Sequence, residues 1–508
     1  MPLFGNTEFQ IGRGEVAESR VELPLFAAFL FVCAILVFAV HLYFHNVALS
    51  TALAISLMVM GVTILRVDIG VYVLVISMLL SPEITVQDSG HRMHDVNIRY
   101  DDILIITIFL GVMVRVAWEG RDQWWRPSAI NVAIVLYMIV CVLSTARAHY
   151  LDLGRFDKVT SVFVLLKMIQ YYMIFWLVGN AMKQRKDIRS QVVVFLVVAV
   201  IVSAMTALQV GQVRRVSSPF ETGGTEPNTL GGYLTLCMCV AAALYTQAPA
   251  WKHKITFLFI IGMALIPFLY TLSRASYLAF LAGIMVVGFR AKNWMLVTVI
   301  VLALLFSQMV MPEEVRQRVN YTFQEGSGKD VYIAGRETGL QVDKSTYERI
   351  YVWQKVWHNL HVWPWFGGGV SWDSILDSHY ARVIIETGLL GLATFLLIQF
   401  SILKVTNQAF KWSGDWFSRG VALGTFAGAI ALIVHSAGTI TFLIVRIMSP
   451  FWFLVALSVV LRQIAIKEYV TQKRREAGAL ADDGQPGPSP LLEPEPARYR
   501  PEPIARPL

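Results

Sequence analysis

Apolar runs of about 17 to 25 residues recur between Leu23 and Leu461, separated mostly by short polar connections. A helix of that length crosses roughly 30 Å of hydrocarbon while satisfying its own backbone polar groups, which lipid cannot do for it. Barrel strands are about 10 residues long and alternate in polarity, so continuous runs of this length exclude a β-barrel. The fold class expected is all-α, a polytopic membrane helix bundle. Only 15% of the residues are charged, against about a quarter in soluble domains. The first run follows a mixed-charge stretch, Arg13 to Glu22, and lacks a small-residue cleavage site, so it is expected to be retained as a helix.

Fourteen helices are expected, at about 24–44, 47–65, 67–81, 103–118, 128–146, 160–182, 188–210, 228–247, 253–270, 275–290, 293–311, 385–405, 417–440 and 445–463. This divides the chain into an N-terminal segment (1–23), an eleven-helix bundle (24–311), a large loop (312–384), three further helices (385–463) and a tail (464–508) expected to be disordered. Prolines in GPSP and EPEP make the tail too polar and broken to pack. An even number of spans puts both termini on one side. If that side is the cytoplasm, the inner connections hold most of the basic residues, among them Arg66, Arg115, Lys183, Arg185, Lys186 and Arg189. Fewer fall outside, where Arg99, Arg147, Arg214, Arg215, Arg274 and Arg446 lie, and the asymmetry fits the positive-inside rule. The net charge of +8 is accounted for in this way, and no nucleic-acid partner is expected. Cys33, Cys141, Cys237 and Cys239 lie within apolar runs as small hydrophobes, without metal or redox spacing.

The large loop would then lie outside, and a connection of that length is usually functional or disordered. Its stretch STYERIYVWQKVWHNLHVWPW opens with a capping box, Ser345 with Glu348, and places Ile350, Trp353, Val356, Trp357 and Leu360 on one helical face. A surface-lying amphipathic helix ended by Pro364 is expected, a wall or lid over the bundle.

The outer arginines oppose the insertion bias. Burying one well inside the bilayer costs about 2.5 to 3.5 kcal/mol on insertion scales. Arg274 sits between two apolar runs in FLYTLSRASYLAF, and Arg214 and Arg215 open the turn-rich loop QVRRVSSPFETGGTEPNTLGGY. A guanidinium is permanently charged and offers a planar fork of donors matched to phosphate oxygens, so several at one aqueous mouth suit a pyrophosphate. A lone arginine more often snorkels to lipid phosphate or pairs with an acid such as Glu221 or Glu226. His379, where the chain re-enters the membrane, has the intrinsic basicity of a general base, although a lone histidine there is more often a surface residue. Asp373 and Asp377 share a helical face without a ligand set, and neither a metal nor a cofactor is expected.

Taken together, four stretches resemble the superfamily of bacterial O-antigen ligases and Wzy-type polysaccharide polymerases. They are RRVSSPFETGGTEPNTLGGYL with Pro227 and Asn228, TLSRASYLA, YERIYVWQKVW followed by WPWFGGG (Arg349, Trp353, Pro364, Gly367 to Gly369), and DSHYARVIIETGLLGL. The family often has asparagine after the loop histidine, where this chain has Tyr380. The resemblance implies metal-independent, inverting transfer of a glycan from an undecaprenyl-pyrophosphate donor to a sugar hydroxyl of a glycan or lipid-linked acceptor. It also implies the bacterial inner membrane, a periplasmic active site and a chain-length regulator as a partner. Arg214, Arg215, Arg274 and Arg349 would bind the pyrophosphate, with Arg274 and His379 catalytic. A repeat-unit polymerase is favoured over a ligase. A flippase for lipid-linked oligosaccharide is the rival from another class, and Lys167, a lysine inside a span, is expected to snorkel or pair within the bundle.

Overall fold

The computed structural model describes residues 35, 37–39, 47–81, 83–87, 96–118, 127–152, 158–219, 226–306, 313–320, 329–333, 336–342, 344–372 and 378–482. The first half contains helices α1 (Val47–Leu65) and α2 (Val67–Leu80), strands β1 (Glu83–Gln87) and β2 (Val96–Arg99), then α3 (Tyr100–Trp118), α4 (Ala129–Tyr150), α5 (Lys158–Ala181) and α6 (Arg185–Ala207). Helices α7 (Pro227–Gln247), α8 (Trp251–Tyr270), α9 (Arg274–Arg290), α10 (Trp294–Leu305) and α11 (Glu313–Asn320) follow. After β3 (Lys329–Ile333) and β4 (Arg336–Val342) come α12 (Lys344–Val362), α13 (His379–Trp412), α14 (Trp416–His435), a short 3-10 turn (Thr441–Leu443) and α15 (Val445–Asp482).

Among the described residues, eight helices are long and apolar enough to cross a membrane: α4 to α8 and α13 to α15. The chain is thus predominantly helical, as a multi-pass membrane protein requires. The first expected span, at 24–44, lies almost wholly outside the described residues. Two small antiparallel hairpins, β1–β2 and β3–β4, depart from the all-α expectation. Both stand in connections, where strands pair locally and need no sheet core.

Helices α7, α14 and α15 form the buried centre. Small residues bring α7 and α14 together. Gly420, Gly424 and Gly428 recur every fourth residue along α14, and a Cβ at each would run into Leu244, Val240 and Leu236 of α7 respectively. Close approach of small-residue faces is how helices associate in lipid, where hydrocarbon removes the usual hydrophobic drive. At Gly424 the obstacle is backbone, with Val240 Cα 2.6 Å from the position of an added Cβ. Gly424→Leu is therefore expected to force the helices apart and cost at least about 1–3 kcal/mol, read as a lowered Tm of the detergent-solubilised protein.

Two expectations are corrected. The tail is expected from residue 464, but α15 continues unbroken to Asp482. The reason is local: from residue 464 to Asp482 the chain is rich in helix formers and has Gly478 as its single glycine and no proline, and Glu468 on this extension pairs with Arg185 at 2.6 Å. Residues 483–508 lie outside the described ones. The loop helix α12 forms, and from its expected face Val356 is buried with Leu360 packed beside it, but Val352 is buried as well, the two valines packing with Ala381, Ile384 and Ile385 of α13. Trp353 and Trp357 point outward instead, 48% and 69% exposed. An amphipathic stretch with aromatic residues on adjoining stripes does not specify which stripe meets protein.

Lys167 pairs as expected, with Asp102. Asp102 also accepts from Gln170 Nε2 at 2.6 Å and from the Arg99 backbone N–H at 2.9 Å, while Arg99 pairs with Asp101 at 3.0 Å. Two buried carboxylates are thus offset by two cations, as burial of charge demands.

Candidate functional site

The arginine-bearing loops meet at one end of the bundle. Helix α8 ends at Tyr270, and the chain reverses through Leu272, whose φ of +50° is left-handed, into α9. Ser273 caps α9, its Oγ accepting from the Ser276 N–H at 3.3 Å. Arg274 is the first helical residue and is half-buried.

Arg215 reaches this same turn. Its Nε donates to Thr271 O at 3.0 Å and its Nη2 to Leu272 O at 3.4 Å, and Val216 N donates to Tyr270 O at 3.0 Å. The last carbonyls of a helix have no partner within it, so the Arg215 fork closes the end of α8. Arg214, next in the chain, is exposed. The three arginines read alike in the sequence therefore differ: Arg215 braces the turn, Arg274 is half-buried at the start of α9, and Arg214 is exposed. The loop is held at its other end by Arg446, 3% exposed at the start of α15, whose Nη1 donates to Pro219 O at 2.7 Å and to Leu79 O at 3.5 Å.

Beneath Arg274 runs a buried polar chain that the sequence reading missed. Ser273 Oγ donates to Asn228 Oδ1 at 2.7 Å, and Ser276 Oγ to Ser273 Oγ at 2.8 Å. Ser276 Oγ lies 3.0 Å from His435 Nε2, and Thr441 Oγ1 lies 2.8 Å from His435 Nδ1. The Asn228 carboxamide oxygen can only accept, so each hydroxyl in turn must donate toward it, and the imidazole donates from Nε2 and accepts at Nδ1. Gly231 makes room, because a Cβ there would sit 2.2 Å from Ser276 Oγ. His435→Ala would strand a buried hydroxyl pair at a cost of about 1–3 kcal/mol, and the expected result is a lower Tm of the purified protein. The only sequence signal was a histidine closing an apolar run, ALIVHSAGT.

A second structured region lies at this end. Helix α13 is broken at Gly388, where φ is +67° and ψ is −164°. The glycine-rich segment Trp363 to Ser371 fills the break. Gly368 N donates to Ile385 O at 2.8 Å and Gly369 N to Glu386 O at 2.9 Å, while Leu389 N and Leu390 N donate to Pro364 O and Trp365 O at 2.9 and 3.3 Å. Backbone groups freed within a membrane helix must find partners in protein, and here one turn-rich segment serves four of them. Ser161 Oγ donates to Val370 O at 2.6 Å and Arg147 Nη1 to Gly367 O at 3.0 Å, tying the segment to α4 and α5. The expected start of this membrane helix, residue 385, is corrected to His379. The residues before 385 are helical and buried, and the charges that lower their hydropathy neutralise each other: Arg382 Nε donates to Glu386 Oε1 at 2.8 Å. Ser371 N donates to the same oxygen at 2.9 Å.

His379 begins this half-helix, its backbone N donating to Ser436 O at 2.9 Å, one residue beyond His435. The two structured regions thus share the connection between α14 and α15. The His379 ring is 2% exposed, with ring centroids 5.1 Å from Phe395 and 5.3 Å from Phe442. It lines a cavity of about 10 Å³ with Tyr171, Gln399 and Trp452, room for about one water. The surface histidine expected here is instead enclosed in an aromatic box, and its Nδ1 has no hydrogen-bond partner among the described residues.

Arg349 falls within α12, but its side chain lies outside the described ones, as do Asp373 and Asp377. No family model matches the chain, and no curated protein is detectably similar to it.

Proposed function

We propose that the chain is a glycosyltransferase of the polytopic type, moving a glycan from a polyprenyl-pyrophosphate donor to a sugar hydroxyl of an acceptor, in the manner of a repeat-unit polymerase. The observation that supports this reading is the docking of the Arg214–Pro219 loop on the turn that leads into Arg274, which brings the segments carrying these arginines together at one end of the bundle. In this reading the acceptor oxygen bonds to the anomeric carbon as the carbon–oxygen bond to the pyrophosphate breaks, with inversion. The leaving group departs as polyprenyl pyrophosphate, and its growing charge is met by the guanidinium cations of Arg274 and Arg214. In this reading the acceptor proton passes to His379, and Arg349 is assigned to the pyrophosphate, both as the family resemblance implies. The distribution of basic residues supports a site on the outer face with both termini in the cytoplasm, and the resemblance implies that the membrane is a bacterial inner membrane.

The test is direct: purified full-length protein in nanodiscs, supplied with a polyprenyl-pyrophosphate-linked oligosaccharide alone, should release polyprenyl pyrophosphate and lengthen the remaining donor. Transfer only after lipid A core is added would replace the polymerase with a ligase. No released pyrophosphate with either acceptor would end the transferase reading. A lipid-linked oligosaccharide transporter is the second reading, favoured by the break in α13 and the buried Asp101, Asp102, Arg99 and Lys167 cluster, since discontinuous helices and embedded charges are common in transporters. It predicts donor movement across sealed vesicles without any change in glycan length.

A further inference from the structure

The opposite end of the bundle carries its own recess. The ends of α1, α3 and α5 and the starts of α2 and α6 enclose two adjoining hollows of about 250 and 300 Å³, which share Arg66, Asp68 and Asp187. For scale, an engineered cavity of about 150 Å³ holds benzene. Arg66, Arg115, Lys183, Lys186, Asp68 and Asp187 line them, so cations outnumber carboxylates.

The acids are already committed. Asp68 receives the Arg66 fork at 3.1 and 2.8 Å, and Asp187 Oδ2 accepts from the Gln184 and Lys183 N–H groups at 3.1 and 3.4 Å. Arg115 donates to the terminal carbonyls of α1, with Nη1 to Ile64 O at 2.9 Å. Lys183 and Lys186 are exposed, and among the described residues their ammonium groups meet no acid. A second group is unsatisfied here: Gln191, 1% exposed, donates from Nε2 to Asp68 O at 3.2 Å, leaving Oε1 buried without a donor. The site thus asks for an anion that also carries hydrogen-bond donors. Helices α5 and α6, of 24 and 23 residues, are long and apolar enough to cross the hydrocarbon, so the ends that frame the recess lie at the depth of lipid head groups.

We infer that this recess binds the head group of an anionic phospholipid bearing hydroxyl donors, of the phosphatidylglycerol kind, with the phosphate on Lys183 and Lys186 and a hydroxyl toward Gln191. The inference is independent of the proposed transfer reaction. Near a membrane surface each basic residue contributes about fivefold to anionic-lipid binding.

Binding of short-chain phosphatidylglycerol to the full-length protein in detergent, followed by native mass spectrometry and thermal shift, should weaken about 25-fold in the K183Q/K186Q variant. Phosphatidylcholine, with no donors and no net charge, should bind weakly and equally to both. Both lysines are exposed, so the variant is expected to keep the wild-type Tm without lipid. Equal binding of the two lipids, or unchanged phosphatidylglycerol binding in the variant, would overturn the inference. So would glycerol 3-phosphate binding as tightly as the lipid, which would make the ligand a soluble phosphate ester.

Discussion

Gly388→Ala is expected to leave little folded protein. At φ +67° and ψ −164° the backbone is in a region reserved almost entirely for glycine, and a Cβ there would sit 2.4 Å from both C and O of Trp365. The obstacle is backbone, and that backbone is fixed by the four hydrogen bonds that join Pro364, Trp365, Gly368 and Gly369 to the break in α13. Strain of about 1–3 kcal/mol and overpacking of a similar size add together, against a total stability of about 5–15 kcal/mol. The measurement is the fraction of monodisperse protein after detergent extraction, with the Tm of whatever survives. Gly414 provides the control, since nothing lies within 4 Å of a Cβ added there, and Gly414→Ala should behave as wild type. Equal yields and equal Tm for the two variants would mean that α13 is not interlocked with the glycine-rich segment.

That interlock marks where the sequence stops being readable. Run length and hydropathy locate helices such as α7, expected at 228–247 and formed over Pro227–Gln247, although among the described residues eight helices, against the fourteen expected, are long and apolar enough to cross a membrane. Hydropathy fails at the start of α13 because it scores Arg382 and Glu386 as two charges, whereas in the folded chain they form one neutral pair. Periodicity fails at α12 because Val352 and Trp353 belong to neighbouring stripes, and only the partner helix decides between them. Within the site, Arg274, Arg214 and Arg215 stood out because charge was spent against the insertion bias. Their different tasks were not visible, since those depend on the Arg215 fork meeting carbonyls 56 and 57 residues away. His435 gave almost no signal, because its partners Ser276 and Thr441 are common residues on other segments.

Arg274→Ala is expected to lower transfer from a polyprenyl-pyrophosphate donor by about 10²–10³-fold, the usual effect of removing one preorganised donor to developing charge. The loss should fall mainly on kcat, because the charge on the leaving group is larger in the transition state than in the bound donor. Arg274→Lys keeps the charge but replaces a planar fork by a single ammonium, and it should remain impaired by more than about tenfold. Arg215→Ala separates positioning from chemistry. Its guanidinium is engaged with Thr271 O and Leu272 O, so its removal should lower the Tm and reduce kcat only as far as the turn loosens. Arg214, exposed to water that screens it, should cost about tenfold or less on alanine substitution. The ranking places the half-buried Arg274 above the exposed Arg214, with Arg215, held on Thr271 O and Leu272 O, visible chiefly in stability. A folded Arg274→Ala protein that transfers glycan at the wild-type rate would remove the pyrophosphate from this end of the bundle.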